Sequence, residues 1–206
     1  MKTKFYALSA IAALVAGCAT LPSDEELTAK SIAVMKAGFK DRGQAKVDRI
    51  DQDEVQRLCS VYVGDNKMPA DVADRLAKSQ MATIKYPADG NYLGDWKSGE
   101  KIAQSGRGGQ YNDDPTKPSG ANCYACHQLD KKEVSFGTIG PSLNNFGKTR
   151  GYGPEMQKYA WGKVYNSHAY SVCSSMPRFG QKGILTEQQI KDVVALLMDP
   201  NSPVNK

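Results

Sequence analysis

"GANCYACHQLD", residues 120–130, packs Cys123, Cys126 and His127 into five positions, and His127 is one of only two histidines in the chain. The run before it, 105–122, is rich in Gly, Asn, Asp and Pro and reads as loop. Three chemistries compete for such a motif. A structural zinc needs four Cys or His ligands, usually in two close pairs; here there is one CxxC, and the second histidine, His168, stands alone. A redox dithiol expects a strand–CxxC–helix setting within a βαβ pattern, and no Val/Ile-rich strand precedes this one. Cys-x-x-Cys-His is the spelling of c-type haem attachment. Two thioethers from residues three apart straddle one edge of the porphyrin, and the following residue is thrown under the iron. The reading is one covalent haem c on Cys123 and Cys126, with the imidazole of His127 as proximal ligand.

The sixth ligand has several candidates downstream. Thioether and imidazole are the usual choices, and a Met/His pair raises the potential. Met198 sits on a helical pattern and reads as core. Met156 follows Gly153-Pro154 at a helix start and reads as core or surface. Met176 lies in "SSMPRFG", where Pro177 biases it into an extended loop that can be aimed at the iron. Met176 is the expected ligand, with His168 as the alternative. "GTIGPSL", 137–143, has two readings. It is a simple turn, or a carbonyl near Pro141 accepts the other imidazole N–H of His127 and fixes the ring.

The N-terminus points to export. Lys2 and Lys4 precede an apolar run from Phe5 to Val15, the pattern of a secretory signal, too short to span a membrane alone. Val15-Ala16-Gly17-Cys18 is also a lipobox spelling, in which Cys18 becomes the lipidated first residue of a periplasmic, membrane-anchored lipoprotein. Ordinary cleavage nearby, after Ala19 for example, is the other reading. The formal charge of +5 falls to +3 if Lys2 and Lys4 are removed, and no basic block suggests a nucleic-acid partner. A hydrophobic content of 40% suits a core and no further spans, so the membrane is expected only through the anchor.

The expected organisation is a signal over 1–17, a helical N-terminal extension over 18–90 and a haem domain over 91–206. Ser23-x-x-Glu26 is a capping box before a stripe of Leu27, Ser31 and Val34 with Ile32, Met35 and Phe39. Helices are expected over 51–62 and, after Met68-Pro69-Ala70-Asp71, over 71–84. Pro87 to Asn91 reads as linker. Asp95 to Ala103 starts a further helix, 154–168 reads as helical, and Thr186-x-x-Gln189 caps a last one, Glu187–Met198, stopped by Pro200. Strand signals are scarce, so the fold is expected to be mostly α, built around a flat apolar group.

The haem half resembles the class I cytochrome c family: "GEKIAQ" as first helix, "CYACH" as attachment, "GPSL" as proline loop, "MPRFG" as distal loop and "LTEQQIKDVVALLM" as closing helix. It is most similar to the SoxX family, monohaem subunits of the SoxAX cytochromes of thiosulfate-oxidising bacteria, through "GDWKSGEKIAQSGRGGQY" (94–111), "GANCYACHQLDKKEVSFGTIGPSLNNFGKTRG" (120–151) and "MPRFG" (176–180). The resemblance implies a class I fold, His127 and Met176 as axial ligands, and electron acceptance while thiosulfate is coupled to a cysteine of a SoxYZ-type carrier. That is a reaction of L-cysteine S-thiosulfotransferase type. It implies a SoxA-type diheme partner bearing the sulfur chemistry, and a downstream cytochrome or oxidase as acceptor. No catalytic residue is assigned to this chain. The runner-up is a freestanding lipid-anchored carrier serving another oxidoreductase.

Two smaller expectations remain. Of five cysteines, two serve the haem and Cys18 the lipid or the leader, which leaves Cys59 and Cys173 to form a disulfide in an oxidising compartment, or to stay as buried thiols. The loops at Gly108-Gly109 and Arg178-Phe179 are expected near the haem edge, the glycines leaving room for a partner's backbone. Arg178 is expected to meet a propionate or a partner carboxylate, or to stand in solvent.

Overall fold

The computed structural model describes residues 21–63 and 67–206. The leader and Cys18 lie outside the described residues. Two compact units divide between Lys40 and Asp41. In the first, Ser23 caps helix α1 (Asp24–Gly38) in a reciprocal box with Glu26. None of the residues of α1 is buried, and the apolar Leu27, Ile32, Val34, Met35 and Phe39 are exposed.

The second unit runs from Asp41 to Lys206, so residues 41–90 pack with the segment that follows rather than forming a separate body. Its helices are α2 (Glu54–Val61), α3 (Ala70–Met81), α4 (Trp96–Gln104), α5 (Phe146–Arg150), α6 (Pro154–Tyr165) and α7 (Glu187–Met198). Among the described residues the only extended pairing is an isolated bridge between Arg42 and Ala45. No described helix is long and apolar enough to cross a membrane.

Several helix ends differ from the sequence reading, each for an identifiable reason. α2 begins at Glu54 because Asp53 is its cap, accepting from the Gln56 N–H, with Gln56 returning a bond to the Asp53 N–H. α3 starts after Pro69 with no side-chain cap, and Asp71 sits inside its first turn. α6 stops at Tyr165 because Asn166 turns extended and is wholly buried, its side-chain amide donating to Thr83 Oγ1 at 2.8 Å and to Gln80 Oε1 at 3.1 Å. A short 3₁₀ turn, Ser167–Ala169, follows.

The core sits where α4 crosses α7. A Cβ on Gly99 would overlap the backbone carbonyl of Asp192, so glycine lets the two backbones touch. Gly94 N–H donates to Lys191 O at 3.0 Å and Asp95 N–H to Asp192 Oδ1 at 2.9 Å, which fixes the start of α4 on α7. Every residue of α7 from Ile190 to Met198 is buried. Trp161 of α6 is fully buried against this centre and its indole N–H donates to Lys85 O at 2.9 Å. The tail also belongs to the core. Val204 and Asn205 are buried, and Asn205 donates to Leu197 O and Asp199 O while accepting from the Lys148 N–H. Side chains as large as Trp161, Leu196 and Met198 each contribute about 1.5–3 kcal/mol by leaving water, and Tyr124 of the motif is buried in the same core cluster.

Candidate cofactor site

The motif is a single tight turn. Asn122 enters it in the left-handed region, φ 47°, which short polar side chains tolerate best. Cys123–Ala125 then forms a 3₁₀ turn, and the Cys123 carbonyl accepts from both Cys126 N–H and His127 N–H. Cys123, Cys126 and His127 therefore lie on one curl of backbone. Both cysteines are unpaired and half-buried.

The segment 137–143 wraps this curl. Gly137, Gly140 and Leu143 donate their N–H groups to the carbonyls of Tyr124, Cys126 and Gln128, each at 2.8 Å. Pro141 O lies 2.7 Å from His127 Nδ1. A carbonyl can only accept, so the ring proton sits on Nδ1 and Nε2 keeps its lone pair. Of the two sequence readings of this segment, the carbonyl acceptor is the one observed. Gly140 lies directly against the His127 ring, where a Cβ would overlap Cε1 and Nδ1.

The surroundings of the thiols bear on the competing chemistries. Burial pushes the Cys123 thiol up to about 12, and the neighbouring Cys126 pushes it the same way. A redox-active cysteine depends on the opposite shift. Among the described residues no group of three His, Cys, Asp or Glu side chains is placed to hold a metal ion. Two unpaired, half-buried thiols beside an imidazole with a free Nε2 fit covalent haem. A cleft of about 640 Å³ lies on the flank of the turn beside Tyr124, Glu133 and Phe136, and none of Cys123, Cys126, His127 or Met176 lines it.

The distal candidates occupy different places in the fold. Met198 is 2% exposed within the core, and Met156, on α6, and Met176 both pack against it. Met176 is half-buried on a loop, with two hydrogen bonds to its backbone. Its carbonyl accepts from Ser167 Oγ, its N–H donates to Ser174 Oγ at 3.2 Å, and Pro177 follows. His168 is buried, and its Nε2 lies 3.1 Å from Ser174 O, so that nitrogen carries the proton. Burial first, and then the Arg178 charge, lower its pKa, so it stays neutral at pH 7. His168, Met176, Arg178 and Gln56 line one pocket of about 270 Å³.

Arg178 departs from expectation. It is 5% exposed and donates to Asp53 Oδ2 at 2.6 Å, with Lys182 Nζ on the same oxygen at 3.3 Å. Asp53 was hidden in the sequence as an ordinary helix cap. Cys59 and Cys173 are joined in a disulfide, Cα–Cα 5.5 Å. Gly108 and Gly109 have φ of 110° and 81°, and a Cβ on Gly108 would overlap Ser119. At Gly108 the requirement for glycine thus comes from the loop's own backbone, independent of any partner.

Residues 116–199 match the family model described as Cytochrome c. Over 194 residues the chain is 38% identical to an uncharacterized lipoprotein of Aquifex aeolicus (strain VF5), covering 90% of this chain and 91% of that protein. The chain belongs to one family with that lipoprotein, and its haem domain is a mostly helical cytochrome c domain of class I type, which binds haem c covalently and transfers electrons.

Proposed function

We propose that this chain is the electron-accepting monohaem subunit of a periplasmic complex that couples thiosulfate oxidatively to a carrier-protein cysteine. The observation that carries the reading is the SoxX-like run over 120–151, whose 137–143 segment is the one that grips His127. Bound haem c supplies the one-electron carrier. Cys123 and Cys126 anchor it, His127 offers Nε2 with its tautomer set by Pro141, and Met176 offers a thioether that raises the potential. No acid, base or nucleophile is assigned to sulfur chemistry, which this reading leaves to a diheme partner of SoxA type. Electrons pass onward to a further cytochrome or oxidase.

The reading includes a lipid anchor at Cys18, supported by the lipobox spelling and by the name of the Aquifex aeolicus relative. That same likeness, which extends over 90% of the chain, favours one alternative, a freestanding lipid-anchored carrier serving another oxidoreductase. Purification of the native protein from solubilised membranes separates the two. Co-elution with a diheme cytochrome supports the subunit reading, whereas a monomer that elutes alone supports the carrier. Cys18→Ser is expected to release the protein to the soluble periplasm.

A further inference from the structure

The loop that carries Met176 is gripped on both sides by a single short helix outside residues 91–206. Three residues before Met176, Cys173 is bonded to Cys59 of α2. Two residues after it, Arg178 is buried and paired at 2.6 Å with Asp53, the cap of the same helix. Asp53 and Cys59 stand six positions apart on α2, and the two residues they hold stand five apart on the loop. Gln56, between Asp53 and Cys59, lines the pocket that Met176 also lines. Met176 itself has two inner hydrogen bonds, from Ser167 Oγ to its carbonyl and from its N–H to Ser174 Oγ; the loop's other inner anchors are His168 against Ser174 O before it, and buried Phe179 with the Gly180 and Gln181 N–H groups on Tyr165 O after it.

We infer that Asp53 and Cys59 are positioning residues for the sixth ligand: α2 acts as a two-point clamp that keeps the Met176 thioether at the iron. This rests on Met176 being that ligand. An ion pair with one partner buried and a covalent crosslink act differently. The crosslink restricts how far the loop can swing, and the ion pair sets its resting place. If both are removed, the loop retains its sequence and its inner hydrogen bonds but samples more open positions. A small ligand that must displace Met176 binds in proportion to that open fraction.

The test is imidazole binding to the ferric holoprotein, followed through the weak far-red band of sulfur-ligated iron. Asp53→Asn keeps an acceptor for the helix cap and loses the charge. Cys59→Ala with Cys173→Ala removes the crosslink. Each is expected to tighten apparent imidazole affinity about tenfold, through a tenfold larger open fraction. Glu54→Gln, also on α2, breaks an exposed pair with Arg75 of α3; it serves as control and should leave affinity unchanged. If the crosslink variant does not fold, Asp53→Asn alone decides. Affinities within twofold of wild type, in variants that retain the band, overturn the clamp. A wild-type protein with no far-red band, or a band that survives in Met176→Ala, overturns the ligand assignment instead, so the two failures are distinct.

Discussion

The imidazole of His127 rests on the backbone of Gly140, one residue before the carbonyl of Pro141 that accepts its Nδ1 proton at 2.7 Å. Space and hydrogen bonding thus fix the same ring from two adjacent residues. Any side chain at 140 must push the ring away from both the Pro141 oxygen and the iron.

Gly140→Ala is therefore expected to cost about 1–3 kcal/mol by overpacking. Thermal melts of the holoprotein measure this, and the ferric spectrum should show partial loss of low-spin iron. A variant with wild-type melting and spectrum would mean that the ring has slack that the geometry does not show.

Met176→Ala should abolish the far-red band and open the sixth position to added ligands. Met176→His should keep low-spin iron but lower the potential, because imidazole favours the ferric state more than thioether does. Spectroelectrochemistry reads both. Retention of the band in the alanine variant would redirect the search to another thioether, Met156 or Met198.

The disulfide closes a separation of 114 residues. In the chain-entropy model such a crosslink contributes about 4–5 kcal/mol. Denaturant unfolding of Cys59→Ala with Cys173→Ala should lose an amount of this order. Mass spectrometry of the non-reduced wild type should find neither thiol open to alkylation.

Asp53 confers an acid dependence. Burial works against its charge, but the Gln56 N–H, the Arg178 guanidinium and Lys182 together hold its carboxyl below the usual carboxylate range. A carboxyl depressed in the folded state stabilises fully above its unfolded pKa of about 3.9 and loses that contribution as pH falls towards the folded value. Asp53→Asn should be less stable near pH 7 by about 1–3 kcal/mol, between the ranges for exposed and buried pairs. The gap to wild type should narrow below about pH 4. A gap that stays constant from pH 7 to pH 3 would show that the charge is not the source.

What the sequence revealed and what it hid follow a physical line. The CxxCH turn, the Ser23–Glu26 box and the Thr186–Gln189 box are local patterns, complete within a few residues, and the structure contains both boxes. The bend at Asn166 was not legible, because its cause is a set of hydrogen bonds to residues more than eighty positions away. Arg178 was misread for the same reason: its partner lies 125 positions earlier and looks like any helix cap. Gly99 reads as a weak spot in a helix until the crossing with Asp192 shows why a side chain does not fit. The tail after Pro200 carries no periodic signal, yet Asn205 closes the C-terminal end of α7.

The most direct test of the central claim is an anaerobic omission series that follows reduction of this chain's haem by thiosulfate. The chain alone is expected to remain oxidised, and to be reduced only when both the diheme partner and the carrier protein are present. Thiosulfate-dependent turnover by the isolated chain, or full complex activity without it, would contradict the account.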